Sequence, residues 1–177
     1  ETERKTALEN LAIRIALDSV TTNVMIANNQ NHITYLNNSL NNMLTRNEDV
    51  IRKSLPNFNV RKLIGANIDV FHKNPAHQRG MLSALNSPLK TAIKVGDLSF
   101  RLIASPVINE EGERLGTVVE WSDRTGEVAI ENEISSIVGR ASDGDFSDRI
   151  REDDKEGFLK TLAQNVNGLL TTTSVGL

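Results

Sequence analysis

Apolar residues along this chain change their spacing several times, and each change marks an element. Between residues 2 and 18, Leu8, Leu11, Ala12 and Ile15 recur at helical spacing until Asp18 and Ser19 interrupt them. Residues 24–27 (VMIA) form a short apolar run of the kind a buried strand carries. A turn signal, NNQN at 28–31, separates it from the alternating ITYL at 33–36, so residues 22–36 predict a β-hairpin. Asn37, Asn38 and Ser39 offer N-caps for a helix over 39–46 with Leu40, Met43 and Leu44 facing inward. A second short helix is expected over 48–54. Leu55 ends it, because the residue before Pro56 avoids the α region. Short turns fill 57–75. Pro75 then opens a helix running to about residue 85, with Met81, Leu82 and Leu85 on one face.

Three strands follow, at 91–95, 98–106 and 113–123, separated by Gly96-Asp97 and by residues 109–112 (NEEG). Phe100, Leu102 and Ala104 share one face of the second, and Thr117, Val119 and Trp121 share one face of the third. Five strands, with the helices lying between the second and the third, predict an α+β domain: a five-stranded antiparallel sheet with helices packed on one side. Beyond residue 125 the pattern is helical again. Val128, Ile130, Ile134, Ile137 and Val138 form one stripe, and Phe158, Leu159, Leu162, Val166, Leu169 and Leu170 form another. The Gly- and Asp-rich stretch 139–154 cannot be helical throughout. Two amphipathic helices joined by a polar connector need a partner to cover their stripes, most simply a second copy of the chain.

Composition narrows the function. The 177 residues carry a net charge of -3, which gives no electrostatic case for nucleic-acid binding. The absence of cysteine excludes disulfides, thiolate nucleophiles, iron–sulfur clusters and cysteine zinc sites. No apolar run approaches the roughly 18 residues a bilayer demands, so no membrane segment is expected within these residues. The chain starts without Met and stops inside a helical pattern, so it reads as a piece of a longer protein. No Ser/His/Asp order, P-loop, GxGxxG or HExxH is present, and kinase elements are missing, so an enzyme is not expected. The aspartates between 143 and 154 do not follow an EF-hand loop and read as a solvated connector.

Two of the three histidines, His72 and His77, lie in the run 67–79 (NIDVFHKNPAHQR). Either imidazole is a candidate axial ligand for a metal-bearing cofactor. His72 precedes the helix begun by Pro75, and His77 lies within it. Val24, Ile26, Ile68, Val70, Phe71, Met81, Leu82 and residues 98–102 offer an apolar slot beside them. His32, at the hairpin, reads as structural or solvent-facing.

The order of elements, closing in residues 116–125 (GTVVEWSDRT), resembles a PAS sensor domain. The triplet Asp123-Arg124-Thr125 resembles the D-x-T element that joins PAS cores to their output helix. Together with the run 67–79, residues 118–122 (VVEWS) are similar to PAS domains of bacterial methyl-accepting chemotaxis receptors, and more narrowly to the haem-PAS of Aer-type oxygen receptors. Residues 142–150 (SDGDFSDRI), Glu156-Gly157 and Asn165–Asn167 resemble a HAMP signal-relay module, without the proline of a membrane-proximal first helix.

The resemblance implies an N-terminal linker helix at 1–18, a PAS domain at 19–125 and HAMP-type helices at 126–177, forming a dimeric parallel four-helix bundle. It implies haem b held by His72, with His77 the alternative. It further implies Trp121 as the donor to dioxygen or another diatomic gas, Leu102 crowding that gas, and Ile68, Val70, Met81 and Leu82 as lining. A homodimer, a downstream chemoreceptor signalling domain, a histidine kinase and its adaptor, and a cytoplasmic location follow from the same likeness. The alternatives are a cofactor-free PAS relay and a PAS that binds another small ligand.

Overall fold

The computed structural model describes residues 2–72 and 75–175. It divides into two compact units, Glu1–Asp123 and Arg124–Leu177.

The first unit opens with helix α1 (Thr2–Ser19) and continues into strands β1 (Asn23–Asn28) and β2 (Ile33–Leu36). Helix α2 (Asn38–Ser54), two 3-10 turns at Val60–Lys62 and Ile68–Phe71, and helix α3 (Pro75–Ser83) lead to β3 (Leu89–Val95), β4 (Leu98–Ile108) and β5 (Arg114–Asp123). The strands pair antiparallel in the order β2-β1-β5-β4-β3. Val95 and Leu98 flank a two-residue turn whose Gly96 has φ +60°, where a tight hairpin wants glycine. At Gly116, opposite Asn28, a Cβ would stand 2.2 Å from the Ala27 carbonyl oxygen, so only glycine lets β1 and β5 approach this closely.

The two short helices expected over 39–54 are one. Asn37 caps it by accepting the Leu40 N–H at 3.1 Å, and Leu55, before Pro56, ends it. The polar residues where the two were expected to meet are absorbed within it. Asn47 donates its amide back to the Met43 carbonyl at 2.9 Å, and Glu48 pairs with Arg52 one turn on at 2.9 Å. Leu40, Met43, Leu44 and Ile51 face the sheet and are buried. They meet Ile33, Phe100 and Leu102 in a single core, where each large aliphatic side chain contributes about 2 kcal/mol.

α1 carries no buried residue, and Leu8, Leu11, Ile13 and Ile15 are all more than half exposed. Its C-terminal end is nevertheless fastened. Asn37, fully buried, donates its amide to the Leu17 carbonyl at 2.9 Å and the Thr22 carbonyl at 2.7 Å, while its oxygen accepts the Val24 N–H at 2.9 Å.

In the second unit, α4 (Thr125–Ser142) and α5 (Gly157–Val175) enclose a small core of Ile130, Ile137, Ile150, Ala163 and Leu170. Residues 143–156 run without helix or strand between them. Asn167 holds that connector by donating to the Ile150 carbonyl at 2.9 Å and accepting its N–H at 2.8 Å. Within one chain Val138, Phe158 and Leu169 stay more than half exposed, so part of each stripe is uncovered.

Candidate functional site

Between the inner face of the sheet and the 3-10 turn at Ile68–Phe71 lies an apolar cavity of about 270 Å³. Leu102 and Ala104 of β4, and Thr117, Val119 and Trp121 of β5, form its floor. Ile68, Phe71, His72, Met81 and Leu82 form its other side. On β1 the wall is Met25 and Ala27, not Val24 and Ile26. The strand's outer residues are themselves apolar, so alternation could not reveal which face looks inward. Val70 also stands apart. It is 38% exposed and borders a separate groove shared with Phe58, Asp69 and His72. Met81 lines the cavity from its partly open rim, at 36% exposure.

Local hydrogen bonding explains where His72 sits. Asn67 accepts the Asp69 N–H and donates to the Gln30 carbonyl, tying the hairpin turn to the start of the 3-10 turn. His72 closes that turn, its N–H donating to the Asp69 carbonyl at 2.9 Å. The imidazole Nδ1 lies 3.2 Å from the Ile68 carbonyl oxygen. A carbonyl only accepts, so Nδ1 carries the proton and Nε2 keeps its lone pair. Burial lowers the His72 pKa from its ordinary value, opposed by the nearby Asp69 carboxylate. The result is a neutral imidazole with one oriented nitrogen free to ligate, the arrangement in which protein histidines bind metals. His77 lies on α3, but its side chain is outside the described residues. His32 is exposed and bridges to Asn67 through its backbone.

Trp121 is 3% exposed, packed against Phe71 and Phe100 at ring-centroid distances of 5.0 and 5.6 Å. Its indole Nε1 is buried without a hydrogen-bond partner. A buried donor left unpaired costs about 1–3 kcal/mol, and a ligand in the cavity is the natural acceptor. Among the described residues no group of three or more His, Cys, Asp or Glu is placed to hold a metal ion. The donor set offered here is therefore one neutral imidazole, apolar walls and one unmet N–H. Such a set would suit an apolar cofactor held through one nitrogen donor, with His72 as the residue that would hold it. Two roles lay beyond sequence reasoning: that of Asn23, whose amide donates to the Trp121 carbonyl at 3.1 Å, and those of Asn37 beyond its cap, where its side chain also bonds Leu17, Thr22 and Val24. Both depend on partners far away in sequence, which no local pattern marks.

No family model matches the chain. The methyl-accepting chemotaxis protein McpB of Pseudomonas aeruginosa is 49% identical over 172 residues, which is 97% of this chain and 25% of that receptor. The chain thus spans about a quarter of the length of the curated relative it matches. Among solved structures, the Aer2 receptor from Vibrio cholerae, described as a dual PAS-heme oxygen sensor, is 40% identical. The likeness covers 58% of this chain and 93% of that one, with a TM-score of 0.54. An RNA-binding light-oxygen-voltage receptor, 16% identical, covers 76% of this chain and 38% of its own at a TM-score of 0.55, a likeness of fold alone. Sheet order, cavity and relatives agree: the chain belongs to the methyl-accepting chemotaxis receptors and carries a PAS sensory module.

Proposed function

We propose that the cavity holds haem b, that His72 is its axial donor, and that the module senses dioxygen. The observation that carries this reading is that Trp121, whose Nε1 is buried and unpaired, lines the same cavity as His72. The Vibrio cholerae relative's description as a haem oxygen sensor supports it. Haem, when bound, supplies an iron that takes up a diatomic gas. The rest is done by this chain. Ile68 holds the His72 tautomer, the sheet and α3 exclude water, and Leu102 limits the room beside Trp121. The Trp121 N–H favours dioxygen, which gathers negative charge on binding, over carbon monoxide, which gathers less.

The signal leaves by way of β5. Trp121 is two residues from the strand's end at Asp123, and α4 begins at Thr125. We read residues 1–18 as a linker helix, 19–125 as the PAS domain, and 126–177 as a HAMP-type module that pairs with a second copy in a parallel four-helix bundle. That bundle is the two-state element which a shift of Trp121 would bias. Its readers are a downstream signalling domain and a histidine kinase with its adaptor, in the cytoplasm. No helix among the described residues is long and apolar enough to cross a membrane. The module acts by coupling and not by catalysis.

Haem added to the purified chain should give a Soret band that shifts with dioxygen, and His72→Ala should abolish it while His77→Ala leaves it. A chain that stays colourless would favour a cofactor-free relay. Loss of the band in His77→Ala alone would move the ligand to His77.

A further inference from the structure

One end of the cavity carries a cation that neither its apolar walls nor the proposed gas chemistry employs. Arg114, at the start of β5, is only partly exposed, and its guanidinium bridges two residues of the cavity lining. Nη2 donates to the Thr117 hydroxyl at 2.6 Å, and Nη1 donates to the Leu82 carbonyl at 2.5 Å. Nε donates to the Gly116 carbonyl at 3.3 Å. All three acceptors are uncharged, and among the described residues no ion pair involves Arg114. A guanidinium has five N–H groups, so one on each Nη is uncommitted. Beside it lies a second hollow bounded by Asn29, Asn31, Leu82 and Arg114. Asn31 and Leu82 border both spaces, so the two lie side by side. Asn31 has φ +62°, and its side-chain amide makes no hydrogen bond among the described residues.

We infer that Arg114, with Asn31, is a carboxylate-binding end to the apolar cavity, and that the ligand is an amphiphile lying with its acidic group there. A half-buried guanidinium without a counter-ion is costly to keep, and a carboxylate is the planar anion its paired N–H groups match. This inference rests on the haem reading, in which the carboxylates are the haem propionates. It goes beyond that reading by assigning them an anchor and a direction.

The test compares haem with haem dimethyl ester, whose carboxylates are capped, in titrations of the whole chain followed by absorbance. The wild type should bind haem more tightly than the ester by about tenfold or more, the scale of a charge-assisted hydrogen bond. Arg114→Met should lose most of that preference by weakening haem alone, and Arg114→Lys should keep part of it. Trp121 fluorescence through urea unfolding checks that each variant is folded. Should Arg114→Met not fold, Arg114→Gln is read the same way. An unchanged preference in the folded variant overturns the inference and leaves the haem reading standing. A wild type that takes up neither porphyrin overturns both.

Discussion

Asn23 stands opposite Trp121 across the β1–β5 pairing and donates its side-chain amide to the Trp121 carbonyl at 3.1 Å. The same amide reaches the Met43 sulfur at 3.4 Å, and its oxygen accepts the Ser39 hydroxyl at 2.8 Å. The peptide that carries the indole is thus tied to the first turns of α2 as well as to the sheet. Asn23→Ala should cost the first unit about 1–2 kcal/mol, because the amide contact to a main-chain oxygen goes with it. Urea unfolding read through Trp121, the only tryptophan, measures this; an unaltered midpoint would mean the tie carries no load.

Trp121→Phe keeps an aromatic ring between Phe71 and Phe100 but removes the unpaired N–H. Dioxygen release from the haem-loaded chain should speed up by about tenfold or more, with carbon monoxide release changing far less. Stopped-flow release rates decide the matter. Equal effects on both gases would remove the indole from the gas site.

Tyr35 reports on the junction between α1 and the sheet. Its hydroxyl donates to Asp18 at 2.7 Å, and the Arg14 guanidinium lies 5.6 Å from its ring centre. Burial, reinforced by the Asp18 carboxylate, raises its pKa from 10.0 to about 12. The folded chain therefore keeps a proton that the unfolded chain gives up. The stability this contributes is complete below pH 10 and is lost as the pH rises through about 12. Because Tyr35 is the only tyrosine, tyrosinate absorbance follows it directly. Asp18→Asn should lower the midpoint toward 10.

The exposed Phe158 and Leu169 test the bundle. They are 76% and 67% exposed in a single chain, while Ile137 and Leu170 are already covered within it. Replacing both exposed residues with Glu should shift the chain from dimer to monomer in sedimentation with little change in its own helicity, since neither contributes to the internal core. A dimer that survives must be held elsewhere.

The strands were legible wherever one face is wet. Phe100, Leu102 and Ala104, and Val119 and Trp121, alternate with exposed or half-exposed neighbours, and all of these but Phe100 line the cavity together with Thr117. β1 defeats that logic because both of its faces are apolar, so Met25 and Ala27 could not be told from Val24 and Ile26. α2 runs unbroken through Asn47–Glu48 because Asn47 bonds back to Met43 and Glu48 pairs with Arg52, neither of which leaves a periodic trace. His72 and Trp121 stood out as rare residues in a telling order. Arg114 did not, and of Asn37 only the cap was visible, for their other roles depend on carbonyls and hydroxyls that the chain brings together only on folding.

Asn37 also sets where this sensor can be cut. Composition changes at Asp18-Ser19, and a domain excised there would look whole by sequence. It would leave the buried amide of Asn37 without the Leu17 carbonyl, and Tyr35 without Asp18. The last turn of α1 is thus shared between that helix and the sheet, and any twist of the helix pulls on the residue that both caps α2 and holds the start of β1.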